Sequence, residues 1–203
     1  MIKPTPTNKE IVLDPERTIL SKTDNKGIIV YVSDYFMKIS GYSLTELMGK
    51  PHNIIRHPDM PKVIFELLWN SIKAKQNMHA VVKNLSKDGS FYWVITDFKV
   101  DVNPATENII AIQARRKAIP RNILPEIEKL YKNLLEIEKN VSPEASLKYF
   151  IGYLDENKMN YNEWILSLIE QAPDPEVKKG FFGKLLGGKS SEKEGGFFSK
   201  YFN

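Results

Sequence analysis

The chain of 203 residues contains no cysteine. That one absence excludes disulfides, thiolate metal sites and cysteine nucleophiles together, and it leaves cysteine usage silent about the redox compartment. Long apolar runs are missing as well. No stretch approaches the roughly 18 residues of a membrane span, and the N-terminal MIKPTPTNKE has no apolar core of signal-peptide length. The expectation is a cytoplasmic protein. Charge of one sign is weak: the net charge of +4 forms no basic stripe of the kind a nucleic-acid binder carries. Histidine is scarce, with three in the chain, and no serine stands poised beside one as a nucleophile, so no enzyme is expected.

What is present is concentrated in PHNIIRHPDMP, Pro51 to Pro61, which holds two histidines, three prolines, an arginine and an aspartate. Proline lacks an N–H and fixes φ, so the stretch cannot be one uninterrupted helix. Lys50, His57 and Met60 precede the prolines and are pushed towards extended backbone. The pattern predicts a fixed irregular turn, with a helix restarting at Pro61. Such a turn either presents polar groups to a ligand or merely joins two helices. Its histidines fall either side of prolines and share no helix face, so no metal site is expected.

Residues 1–16, rich in Pro, Thr and charge, are expected to form an arm with little structure before about Glu10. From residue 17 the pattern is one of strands. TILSKTD and GIIVYVS flank Asp24-Asn25-Lys26-Gly27, a turn with hairpin chemistry. Asp34 and Ser43 open two short helices, the second with Ser43 and Glu46 at capping-box spacing, and Gly41 and Gly49 end them. In PKVIFELLWNSIKAKQ, residues Val63, Ile64, Leu67, Leu68 and Ile72 repeat on one helical face. Three strands follow: MHAVVKNLS, FYWVITDFKVDV and NIIAIQARRKA. The order predicts an α+β domain over residues 17–120, with five antiparallel strands and helices on one face.

Residues 121–172 read as amphipathic helices, too few for an independent core. Residues 173–203 read as a flexible tail carrying GFFGKLL and GFFSKYF on either side of a Gly/Ser/Lys linker. The Phe pairs beside Lys suggest contact with a membrane surface or a protein groove. Within the meander, Asn84 lies on a small-residue strand face near Trp93 of the next strand. An amide with aromatics can flank a flat heterocycle, or can simply begin a hairpin beside a core tryptophan.

The runs GIIVYVSDYFMKISGYSLTELMGKPHNIIRHPDMP and VVKNLSKDGSFYWV, with LLW between them, resemble the PAS domain. More narrowly, they resemble the FAD-binding PAS domain of bacterial aerotaxis and energy-taxis receptors. The resemblance covers about residues 17–120 and implies a five-stranded sheet with a non-covalent FAD held between sheet and helices. It implies that Arg56, His57 and Asp59 belong to an FAD-linked RHPD motif, with Arg56 and His57 offering donors to pyrophosphate. Asn84 and Trp93 would stand near the isoalloxazine ring, and Trp69 on the long helix matches a family tryptophan. Ser33 stands where many PAS domains carry asparagine. His52 stands about where light-sensing flavin domains carry cysteine, so a cysteinyl–flavin photoadduct is excluded. The implied function is a redox sensor for energy taxis, looking most like the stand-alone PAS subunit (the CetB type) of a two-subunit receptor. Its partner would be a membrane-bound chemotaxis receptor subunit, which would keep it near the inner face of the membrane; a homodimer is a further expectation. The alternatives are a haem-binding gas sensor using His52 or His57, and a cofactor-free PAS dimerisation module.

Overall fold

The structure, a computed structural model, describes residues 3–170. The tail at 173–203, with its Phe patterns, lies outside the described residues. Five strands, β1 (Ile19–Thr23), β2 (Ile29–Val32), β3 (Met78–Leu85), β4 (Phe91–Val102) and β5 (Ile109–Ala118), form one antiparallel sheet in the order β2-β1-β5-β4-β3. Helices α1 (Asp34–Ser40), α2 (Leu44–Leu47) and α3 (Lys62–Lys73) follow β2 and precede β3. This is the expected α+β architecture of five antiparallel strands with helices packed on the sheet. Helices α4 (Leu124–Asn140), α5 (Pro143–Glu156) and α6 (Tyr161–Glu170) complete the described chain. No described helix is long and apolar enough to cross a membrane.

Local chemistry sets the connections. Asp24 Oδ1 accepts from the amides of Lys26 and Ile28 at 2.8 and 2.9 Å. Gly27 supplies the positive φ of 80° that the turn requires. Gly41 ends α1 in the left-handed conformation. Helix α3 has no side-chain cap of its own at Pro61. Glu138 Oε1, from the far end of α4, accepts from the amide of Val63 at 3.0 Å instead, satisfying a first-turn donor and placing negative charge at the helix N-terminus.

The loop between α2 and α3 touches both edges of the sheet. The amide of Ile29 donates to Lys50 O, that of Gly49 to Ile29 O, and that of His52 to Gly27 O, all at 2.9 Å. At the other edge Arg56 bridges Asn84, and the amide of His57 donates to Lys83 O at 3.4 Å. A short 3-10 turn, His52–Ile55, spans the interval. The proline-rich stretch is therefore a strap across the helical face, with β2 held at one end and β3 at the other.

The C-terminal helices pack along edge strand β3, meeting α3 on one side and, through Tyr131, the buried Trp93 of the outer face on the other. Three hydrogen bonds form a closed ring there. Tyr131 of α4 donates to Val81 O at 2.7 Å, Val81 N donates to the Tyr161 hydroxyl at 3.3 Å, and the Tyr161 hydroxyl meets that of Tyr131. Asn162 Oδ1 accepts from the amide of His79 at 3.3 Å. Edge strand β3 thus has its outward backbone groups met by α4, α6 and the strap, so it offers no template for aggregation.

The N-terminal arm differs from its expectation. Residues 7–11 are docked, with Thr7 N donating to Gly89 O, Phe91 N to Lys9 O and Ile11 N to Phe91 O at 2.8–2.9 Å. Gly89, at φ 85°, makes room: a side chain there would collide with the backbone of Thr5. Pairing with the start of β4 outweighs the arm's low intrinsic order.

Tyr131→Phe should lower stability by about 1–3 kcal/mol, because it leaves the buried Val81 carbonyl without a donor. Urea unfolding measures this; a change below about 0.5 kcal/mol, typical of a surface substitution, would contradict the closed ring.

Candidate functional site

Between the strap, α3 and the inner face of the sheet lies a cavity of about 220 Å³. Strand alternation decides what faces it. In the observed register Asn84 opposes Tyr92, Val82 opposes Val94 and Ala114 opposes Phe98. Val82 and Asn84 of β3, Phe98 of β4, Ile112, Ala114 and Arg116 of β5, and Thr23 of β1 therefore share the cavity wall. Helix α3 contributes Phe65, Leu68, Trp69 and Ile72, the last of which continues the buried row from Ile64 through Leu68. The strap contributes His52, Asn53, Ile55 and Arg56. Gly27 lies against the Trp69 ring, which a Cβ at that position would meet at 3.2 Å.

Four of the expected site residues converge here: His52, Arg56, Trp69 and Asn84. Asn84 is 3% exposed and its Nδ2 has no hydrogen-bond partner. A buried, unmatched donor costs about 1–3 kcal/mol, so a ligand acceptor is favoured at this point. Arg56 lies with its Cζ 3.8 Å from the centre of the Phe65 ring and donates to Met60 O at 3.2 Å. Burial lowers its pKa, and the charge of Glu138 opposes that shift.

The other four lie elsewhere. Trp93 opposes Lys83 and so projects to the outer face, where its ring centre is 6.1 Å from that of Tyr131. Placing it with Asn84 beside a ring ligand is corrected by the register: the residue sharing Asn84's face is Tyr92. His57 is turned out of the cavity. Its ring meets Phe91 edge-on, and its Nδ1 accepts from the amide of Asp59 at 3.1 Å. Asp59 is largely exposed and pairs with Lys83 Nζ at 2.7 Å. Within RHPD only Arg56 lines the cavity, because His57 and Asp59 fasten the turn to the edge of β3. Ser33 is a structural cap: its Oγ accepts from Phe36 N at 3.2 Å and Leu20 N at 3.1 Å, tying α1 to β1.

Arg116 was not anticipated. It is 2% exposed in the middle of the sheet. Its guanidinium donates to Ser21 Oγ at 2.9 Å, to Ala114 O at 3.3 Å and to His52 Nε2 at 2.9 Å. Because His52 Nε2 accepts, the imidazole carries its proton on Nδ1 and is neutral. The signal for Arg116 was parity. It shares a strand face with Ile112 and Ala114, whereas Gln113, Arg115 and Lys117 alternate to the other side.

Electrostatics follow from burial. The pKa of Arg116 is lowered to about 10 by desolvation, with the Tyr92 phenol opposing. That of His52 falls to about 3, by desolvation and then by the Arg116 charge. His57 falls to about 4, by desolvation first and Lys83 second, with Asp59 opposing. Tyr92 is raised by desolvation, and its hydroxyl has no partner.

His52 therefore stays neutral in the folded protein down to about pH 3, while the unfolded chain takes up the proton near pH 6.5. Stability from this group is complete above pH 6.5 and is lost as pH falls. Between pH 7 and pH 5 the ligand-free protein should lose about 2 kcal/mol more than the His52→Gln variant. Denaturant unfolding at the two pH values checks this, and parallel losses would contradict it.

A family model described as PAS fold matches residues 29–114. Over 88 residues the chain is 42% identical to the aerotaxis receptor of Escherichia coli (strain K12), covering 43% of this chain and 17% of that protein. It is 31% identical over 87 residues to the bacterioopsin transcriptional activator of Halobacterium salinarum, covering 43% and 12%. It is 27% identical over 88 residues to a nitrogen fixation regulatory protein of Klebsiella oxytoca, covering 43% and 18%. The chain thus spans less than a fifth of the length of these curated relatives. Residues 29–114 of this chain are a PAS domain, similar in sequence to that region of the aerotaxis receptor.

Proposed function

We propose that the protein is a redox sensor for energy taxis that holds FAD non-covalently in the cavity and reports its state to a membrane-bound chemotaxis receptor. The observation that carries this reading is the orphaned Asn84 amide in a cavity walled by Trp69, Phe65 and Phe98. Apolar and aromatic walls with a few convergent donors suit a flat heterocycle bearing carbonyl acceptors. The likeness to the aerotaxis receptor supports the same reading. At about 220 Å³ the cavity is smaller than the roughly 300–1,000 Å³ of sites that enclose a whole drug-sized ligand. It suits a ring system, leaving the remainder of a dinucleotide outside. Arg56 and the exposed Lys26 line the same cavity as cations suited to phosphate.

When bound, FAD supplies a ring whose charge and protons change on reduction. The chain supplies the rest. Asn84 can turn its amide to donate or accept, which gives the two ring states different interaction energies, the condition for a ligand to shift an equilibrium. Val82 and Asn84 face the cavity, while Val81 and Lys83 of the same strand hold Tyr131, Tyr161 and the strap. A shift of β3 is thereby felt by α4 and α6, which we assign as the surface that signals to the receptor. In this reading the protein is a cytoplasmic sensor, not an enzyme.

Haem fits the cavity less well. His52 Nε2 is already engaged by Arg116 and Ser21, and His57 is turned towards Phe91.

Titration of apo protein with FAD, followed by flavin fluorescence, tests the assignment. Asn84→Ala should weaken binding about tenfold, the worth of one hydrogen bond, while Trp93→Phe on the outer face should stay within about threefold. Equal losses in both variants would point to general destabilisation and overturn the site.

A further inference from the structure

Arg116 is a buried cation without a counter-charge. The three groups it touches, Ser21 Oγ, Ala114 O and neutral His52 Nε2, carry no net charge. Its Cζ also lies 5.8 Å from the Phe36 ring centre. Among the described residues no carboxylate forms an ion pair with it, and no Asp or Glu lines the cavity. The charged and titratable groups around it come from the β1–β2 turn, the strap and β4. Lys26 stands on the β1–β2 turn, and His52 and Arg56 on the strap. Tyr92 stands on β4. Two of these neighbours are cations, and the tyrosine keeps its proton. Burying an ion costs several kcal/mol unless an opposite charge meets it. Arg56 has Glu138 nearby to offset its charge; Arg116 has none.

The missing charge is therefore assigned to the ligand, and the flavin reading specifies which charge it is. An oxidised isoalloxazine ring is neutral. With two electrons from a reduced electron carrier and one proton from solvent at N5, it becomes an anion with its negative charge at N1 and the adjoining carbonyl. With a second proton, at N1, it becomes neutral again. We propose that Arg116 is the counter-ion that keeps the reduced ring in its singly protonated, anionic form, so that the cavity favours reduced over oxidised flavin. This rests on flavin being the ligand. It gives Arg116 a positioning and tuning role, with His52 and Ser21 fixing the guanidinium. The sensor would then read electron supply as the appearance of a negative charge beside Arg116. That charge would compete for the guanidinium donors now spent on His52, and so pull on the strap.

The test uses the full chain in wild-type, Arg116→Lys and Arg116→Gln forms. Gln keeps a hydrogen-bond donor and removes the charge, while Lys keeps the charge. Each apo protein is titrated anaerobically with FAD and with dithionite-reduced FAD at pH 7, giving two dissociation constants. The midpoint potential of each FAD complex is also followed against pH. The slope of that plot changes where the reduced ring stops taking its second proton. The expected result is a preference for reduced FAD that falls at least about tenfold in Arg116→Gln and is largely retained in Arg116→Lys. The break should move up by at least about one pH unit in the Gln variant. Wild-type protein that binds FAD while Arg116→Gln leaves both the preference and the break unchanged would overturn the role of Arg116 and leave the flavin reading standing. An Arg116→Gln protein that loses oxidised and reduced FAD equally would overturn it too. Failure of every form, wild type included, to bind FAD would overturn the flavin reading and this inference with it.

Discussion

A five-stranded sheet that does not close leaves two rows of unpaired backbone groups, and one loop meets groups in both. Gly49 to His52 bond to β2 and its preceding turn; Arg56 and His57 bond to β3. The prolines at 51, 58 and 61 keep the loop from collapsing into a helix. Held at both ends, it cannot fall onto the sheet, and the space beneath it is the cavity. The same anchoring positions His52 over Ser21 and Arg116, and Arg56 over Phe65. The cavity follows from the way the edges are closed.

The edge strand β3 lies between two packed layers. Its inner face forms the cavity wall, and its outer face is buried beside Tyr131 and Tyr161. Val81 and Val82 are both buried, which leaves a displacement there little solvent in which to dissipate. Close-packed interiors transmit strain, so a ligand-dependent change at Asn84 has a short physical path to the C-terminal helices. Glu138 supplies a second link, since it caps α3 while sitting on α4.

Much of the fold was legible because local signals agreed with one another. The Asp24–Gly27 turn, the capping box at Ser43 and the helical repeat from Val63 each carried their own chemistry, and the order of elements did the rest; the cap of α1 is Ser33, one residue before the expected Asp34. The faces of β3 and β4 were harder to read. Both strands are buried on both sides over most of their length, which erases the apolar–polar alternation that marks a half-exposed strand. Trp93 was set near Asn84 as a neighbour on the next strand and by the family resemblance, neither of which fixes the cross-strand register; the Asn84–Tyr92 pairing separates them. The RHPD motif divides its residues between the cavity and the turn. It is dense in polar groups, but His57 and Asp59 spend theirs on the turn and on Lys83. Arg116 was hidden beside Arg115 in a run of charge, and burial of an arginine against neutral partners is not a pattern that composition advertises.

The account rests on a flavin in the cavity. The most direct measurement is the absorption spectrum of the purified protein, with the chromophore released by denaturation and identified, and with FAD added to any empty fraction. Bands near about 370 and 450 nm that bleach with dithionite, and FAD in the extract, are what a ring-binding cavity predicts. A colourless protein that stays empty after FAD is added, or a single intense band near about 400 nm from haem, would contradict it.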